Sequence, residues 1–513
     1  MNRRGFLGSL SAVFAGALSV SNFLVPPKAN ARTLIFPQAS EEGTISPRDV
    51  KINLKPVVTD LIHTGTWEGP CRWNRVEVSE EKARVEESFN KWSKEIKEGK
   101  SNLNDENIKI LEPAQVIFSE DFILRQKELN KLKTDSQETD VYFIRPTGAS
   151  FAAFEIGKQF NKPIILVGLG CRNVDIAAYS RSKGYEAFTP RNNDELKKLF
   201  SLLCARKVFT QTKVLFPTNR GFPAAASVCG ITDLQDLEER LGVVVKKIPF
   251  KELADEMDNV MKSELEREKA EQFADELIKN AKNSFIDRKY VIRSIEFYQT
   301  VKNLMNRHGC NAFTIECFEF CSIRLPEKWT ITPCLIHTLL RDRGYGASCE
   351  ADLGALLAMR LLMSVSKKSS HMGNADPRAE NTFRINHSVP GIKMNGYDKP
   401  DLPYQLGHFV ESGWGTKAVV NFMNNSEKIV TVARVHPSAK KILVLKGDLV
   451  GASGWGDKNR LGCSVESVIK SPNGEEFIER RSDYGNHLPW VYGDYSEEMR
   501  NLGEMLNMEV EVL

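Results

Sequence analysis

Gly344-Tyr-Gly-Ala-Ser-Cys-Glu-Ala-Asp-Leu-Gly-Ala-Leu-Leu-Ala-Met-Arg-Leu-Leu-Met363 joins a glycine-rich turn to an apolar helix and sets two carboxylates, Glu350 and Asp352, at the junction. Carboxylates at an exposed helix N-terminus are favoured by about 0.3–1 kcal/mol. Leu353, Leu356, Leu357, Met359 and Leu361 follow a helical spacing, so one helix face is expected to be buried and its acidic end held rigidly. A capped helix with its acids in water would account for Glu-Ala-Asp by itself. Five of the chain's eight histidines, however, fall between His371 and His487. Carboxylate oxygen together with imidazole nitrogen is a donor mixture suited to divalent ions, and Glu350 is read as the carboxylate of such a site.

Upstream of this stretch, short β-branched runs alternate with helical ones. Residues 55–63, 140–146 and 162–168 read as strands, with a charged helix over 80–100 and a second helix over 149–161. Strand, helix, strand at this spacing predicts a parallel sheet with crossover helices. A second unit repeats the pattern: strands over 213–218 and 243–248 flank a helix over 234–241. The tract 251–308 is rich in Glu/Lys pairs and is expected to form two helices breaking near Asn283. A buried strand over 311–318 and a helix over 333–343 lead back to Gly344.

Downstream of Met363 the pattern changes to short β segments, 382–385, 418–423, 429–435, 441–445 and 464–469, separated by Gly, Asn and Asp clusters. A helix over 496–506 and an apolar strand over 508–513 close the chain. The fold class expected is α/β, with two Rossmann-like α/β domains (32–205 and 206–365) followed by a β-rich, barrel-like C-terminal domain (366–513). With 513 residues the chain exceeds what one compact core accommodates.

Residues 1–31 read as an export signal. Arg3-Arg4-Gly-Phe-Leu supplies a basic start, 6–25 a moderately apolar run, and Ala29-Asn-Ala31 a small-x-small cleavage site. The adjacent arginines suggest the twin-arginine machinery as partner, a periplasmic address, and no stable membrane insertion once the signal is removed. A net charge of +3 without a Lys/Arg block leaves no nucleic-acid footprint. The ten cysteines are scattered, without paired CxxC motifs. Cys317 and Cys321 have no matching histidine pair for zinc, so buried free thiols are expected.

For the nitrogen ligands the candidates are His387, at a strand end, and His487, in a turn before the last helix. Composition alone serves His371, His408 and His436 equally well. Resemblance separates them. Asn311-Ala-Phe-Thr-Ile-Glu-Cys-Phe, then Arg343-Gly-Tyr-Gly-Ala-Ser-Cys-Glu-Ala-Asp-Leu-Gly-Ala-Leu-Leu, resemble the core of the L-fucose isomerase and L-arabinose isomerase superfamily, most closely its fucose-isomerase-related branch. His371-Met-Gly-Asn374, His387-Ser-Val-Pro, Gly407-His-Phe-Val-Glu-Ser-Gly413 and Gly485-Asn-His-Leu-Pro-Trp-Val-Tyr-Gly-Asp494 match in the same order. The resemblance covers residue 311 to the end, and before that it is one of architecture only.

The resemblance implies a divalent ion, usually manganese, held by two carboxylates and a C-terminal histidine. It places Glu350 as first carboxylate and acid/base, and His387 and His487 as further ligands. Where the second carboxylate is expected this chain has Asn374, whose amide oxygen can ligate but cannot exchange a proton; Asp376 lies two residues on. His408 and Glu411, with Asp376, are candidates to line a sugar pocket. Trp414, Trp455 and Trp490 can stack on a sugar or fill the core. A homo-oligomer is also implied.

The expected function is a metal-dependent aldose–ketose isomerase acting on a small sugar. One alternative keeps the metal and the sugar but changes the reaction, to hydrolysis or lyase chemistry on a glycan, prompted by Asn374 and the export signal. Another is a non-catalytic sugar-binding protein of two α/β domains around a cleft.

Overall fold

The computed structural model describes residues 46–69, 72–147 and 150–513. Residues 1–31, expected to be an export signal, lie outside the described residues.

The first unit is built on a six-stranded parallel sheet. Ile52–Leu61 is central, flanked on one side by Ile108–Ile110 and Ala114–Phe118 and on the other by Val141–Pro146, Ile164–Ile165 and Ala187–Phe188. Counting the two short edge strands as one, the chain order is 2-1-3-4-5, a doubly wound arrangement. Its strands read as nearly continuous apolar runs because helices cover both faces. Two helices absent from the expected pattern, Cys171–Ser182 and Asn193–Thr210, belong to this unit. The second is capped by Asn192, which accepts from the Glu195 N–H. It runs unbroken through position 205.

The second sheet is also parallel, in the order Val244–Ile248, Lys213–Pro217, Ala312–Ile315, Gly346–Cys349. The tract expected as two helices forms three: Phe250–Lys262, Glu264–Asn280 and Arg288–Arg307. The extra break falls at Ser263, which leaves helical geometry and accepts from the Glu266 N–H, ending one helix and starting the next.

The opening stretch departs from expectation in two ways. Gly346–Cys349 is a buried strand rather than a turn. A Cβ at Gly346 would lie 2.6 Å from Arg360 Cδ, so glycine here makes room for the stem of a buried arginine. The helix Leu353–Ser366 then buries every position from Leu353 to Met363, not one face. Its leucines pack in one core with Leu199 and Leu203 of the first unit and Val435 and Val491 of the C-terminal unit. It is the common axle of all three.

The C-terminal unit is β-rich, as expected. A seven-stranded sheet runs Ile429–Val435, His487–Tyr492, His371–Pro377, Thr382–His387, Val465–Lys470, Lys441–Ser453, Glu509–Val512. A further pairing of Ile429–Val435 with Lys441–Ser453 closes the first six into a ring. His371–Pro377 was not foreseen as a strand, and His487 opens a strand rather than sitting in a turn. Tyr404–His408 pairs with Asn283–Ser284 on one side and Thr416–Val420 on the other, a separate small sheet that ties the C-terminal unit to the second unit. Trp490 is wholly buried against Phe422 and Tyr492, a core residue.

Among the described residues no helix is long and apolar enough to cross a membrane. The nine described cysteines are free: four are buried as expected, while Cys171 and Cys321 are exposed and Cys229, Cys317 and Cys463 are half-buried.

Candidate metal centre

The parallel strands Ala312–Ile315 and Gly346–Cys349 end together, with Ile315 opposite Cys349. Beyond that edge Glu350 and Ala351 take left-handed backbone angles, φ +59° and +53°. For residues with a side chain each such turn costs roughly 1–2 kcal/mol. The double turn ends at Asp352, whose carboxylate accepts the Ala355 N–H at 2.9 Å and caps the central helix. Glu350 is thereby aimed across the gap at the ring rather than along the helix.

Two histidines of the ring meet it. His387, last residue of Thr382–His387, places Nε2 3.3 Å from Glu350 Oε1. His487, first residue of His487–Tyr492, places Nε2 3.5 Å from Glu350 Oε2. The possible ligating atoms of the three residues all lie within 4.8 Å of one another. At metal–ligand lengths of about 2.1 Å, adjacent ligands at right angles stand ~3 Å apart, so these spacings suit donors sharing one ion. Both histidine side chains are at most 2% exposed, and that of Glu350 is 14% exposed.

The residues behind this set orient it. His487 Nδ1 donates to Asp352 Oδ2 at 2.9 Å. Asp352 takes two bonds from Arg434 Nη1, each 2.8 Å, with both side chains essentially buried. Arg434 is itself fixed by donating from Nε to the Tyr484 carbonyl at 2.8 Å. Burial alone would raise the Asp352 carboxyl, but Arg434 and His487 outweigh it and hold it well below the usual carboxylate range. An ionised Asp352 can only accept, so the His487 proton sits on Nδ1 and the lone pair on Nε2. That Nε2 is buried and lacks a hydrogen-bond partner, an orphan that an ion would satisfy.

At His387, burial favours the neutral ring but negative charge on the neighbouring Cys463 sulfur and on Glu350 outweighs it, raising its pKa to about 10. Its Nδ1 lies 3.8 Å from Cys463 Sγ. Burial works to raise Glu350 too, yet the His387 hydrogen bond and His487 keep it below its ordinary value, ionised at neutral pH. One carboxylate and two imidazoles leave open positions for water or substrate and suit manganese, iron, cobalt or zinc.

Three of the remaining expected site residues have hydrogen-bond partners outside this group. Asn374 lies in register with His487, but its amide oxygen accepts from Asn486. Asp376 is paired with Arg384 at 2.7 Å, in a network with Glu466. His408 Nδ1 donates to the Val410 carbonyl at 2.8 Å, and Glu411 is exposed in the turn that follows. Trp414 and Trp455 are half-buried. Asp352, Arg434 and Cys463 were not foreseen in orienting roles. The one visible hint was Arg434 itself, a lone cation within the apolar strand Ile429–Val435.

Fold and site together define a mixed α/β protein with a C-terminal ring of strands and a carboxylate–imidazole centre between ring and sheet. No family model matches the chain. Among curated proteins it is similar to sugar isomerases. Sulfoquinovose isomerases of Priestia aryabhattai and Priestia megaterium are each 21% identical to it over 285 residues, 54% of this chain and 60% of the relative. A Clostridium sulfoquinovose isomerase is 24% identical over 232 residues, 42% of this chain and 47% of the relative. The chain thus spans 60% of the length of the two Priestia relatives it matches.

Proposed function

We propose that this chain is a divalent-metal-dependent isomerase that interconverts an aldose and its ketose. The observation that carries the reading is the convergence of Glu350, His387 and His487 around the bare, buried Nε2 of His487. Similarity to proteins named sulfoquinovose isomerase supports it from a separate direction.

The ion would be held by Glu350, His387 and His487, and manganese is the one the resemblance implies. Bound there, it would supply Lewis-acid stabilisation of the negative charge that develops on the sugar. Glu350 is ionised at neutral pH and starts as the base, taking the proton from C2 and returning it to C1, while the hydroxyl proton passes from O2 to O1. His487, locked by Asp352, keeps its Nε2 lone pair aimed inward. No carboxylate stands at Asn374, so the proton shuttle falls to Glu350 alone. The export reading belongs to the same proposal: the enzyme works outside the cytoplasm, which sequencing of the mature N-terminus checks.

The test is metal analysis followed by exchange of the C2 proton in heavy water, over a panel of aldoses that includes sulfoquinovose. Exchange by the manganese-loaded protein, abolished in Glu350→Gln, is the expected result. Absence of exchange with every aldose, on protein shown to hold the ion, overturns isomerisation. The engagement of Asn374 by Asn486 favours one second reading, in which the same centre acts on a glycan without moving a C2 proton. Product analysis on oligosaccharides separates the two.

A further inference from the structure

Glu350 has neighbours on its other side that the imidazole set does not use. Cys317 and Cys349 each lie with their sulfur within 4.8 Å of a Glu350 oxygen and of each other. Their placement is fixed by backbone: Cys349 ends the strand Gly346–Cys349, and Cys317 opens the helix Cys317–Ser322 just past the neighbouring strand. Glu316 secures that helix start by accepting the Phe318 and Glu319 N–H groups, so Cys317 cannot swing away without uncapping it. The geometry points to a second cation site, formed by Cys317 Sγ, Cys349 Sγ and the Glu350 carboxylate, that takes a thiophilic divalent ion such as zinc.

Two sulfurs and one carboxylate oxygen are a zinc-type donor set, with a fourth tetrahedral position left to water. The imidazole set has no sulfur donor, so the cysteine set is the softer of the two and is the poorer match to manganese. The surroundings of the thiols match that chemistry. Cys349 packs with Cys334, Met359, Met363 and Met372, a sulfur-rich apolar lining. Coordination removes the thiol proton outright, and loading the site releases the protons of both cysteines to solvent. Each Glu350 oxygen faces one imidazole nitrogen, yet each carries two lone pairs, so one carboxylate can belong to both sites. The site shares Glu350 with the isomerase reading but stands on the cysteine pair, whose thiolate signature reads it separately.

Cobalt(II) is the probe, because thiolate ligation gives a near-ultraviolet charge-transfer band that nitrogen and oxygen ligands do not. The metal-free full-length protein, kept reduced, is titrated with Co2+ while bound metal and absorbance are followed. The expected result is two equivalents bound with a thiolate band. Cys317→Ser and Cys349→Ser each lose the band and fall to one equivalent, whereas Cys463→Ser and His387→Ala keep the band. One equivalent without a band overturns the cysteine site and leaves the imidazole centre standing. One equivalent with a band supports the cysteine site and removes the imidazole centre. No binding removes both. A band that survives Cys317→Ser, or disappears in Cys463→Ser, also overturns the assignment. Circular dichroism of each variant keeps loss of folding from passing as loss of a ligand.

Discussion

Asp352 and His487, 135 positions apart in sequence, share a 2.9 Å hydrogen bond with neither side chain more than 2% exposed. One caps the central helix and the other opens a strand of the ring, so the bond locks the α/β and β units to the candidate centre at once.

Replacing Asp352 by Asn keeps the volume but removes the charge that fixes the His487 tautomer. Metal affinity is expected to fall about 10–100-fold, as for other groups that orient a ligand. Competition titration with a chromogenic chelator reads this directly. Unchanged affinity would show that His487 needs no orienting partner.

Arg434→Met removes the guanidinium that balances buried Asp352. An uncompensated buried charge costs about 3–5 kcal/mol, and Asp352 lies wholly inside. The denaturant midpoint is expected to drop accordingly, and the double variant Arg434→Met/Asp352→Asn to recover part of the loss. A midpoint equal to wild type in the single variant contradicts the assigned pairing.

Metal uptake is expected to release protons. In the ion-free protein His387 stays protonated up to about pH 10, whereas a ligand must be neutral imidazole. Near pH 7.5, binding at the imidazole centre therefore expels about one proton per ion, and affinity rises about tenfold per pH unit until it levels near His387's pKa. Calorimetry of manganese uptake in buffers of different ionisation enthalpy measures the release. A heat independent of the buffer would take His387 out of the ligand set.

Gly373→Ala tests the strand that carries Asn374. A Cβ at this position would sit 2.7 Å from the Asn386 backbone, which cannot step aside as a side chain can. The strand bearing His387 must shift, with an expected loss of about 1–3 kcal/mol and weaker metal binding. Normal stability and affinity would mean that the ring tolerates wider spacing than the structure shows.

The parallel sheets were legible in the sequence because their β-branched runs are bounded by Gly and Pro. His371–Pro377 was not, since Gly373, Asn374, Asp376 and Pro377 are poor strand formers, and neighbours on both sides hold it in place. The Gly344 region read as a turn because the side chain packed against Gly346 belongs to Arg360, in the middle of the helix that follows. At the centre, Glu350, His387 and His487 were reachable through ordered motifs. Asp352 was visible as a helix cap, but its bond to His487 depends on the strained double turn at Glu350–Ala351, which no residue pattern announces. His408 was no worse than His387 on composition and Asp376 lay two residues past the expected carboxylate; in three dimensions they bond to the Val410 carbonyl and to Arg384.

The central helix Leu353–Ser366 has no side of its own facing water over most of its length. A gene cut on either side of it would produce fragments with a bare leucine ridge or an empty slot, each prone to clump. Evolution could therefore refashion the outer loops freely, but could trade whole segments with other proteins only by carrying this rod and all its neighbours together.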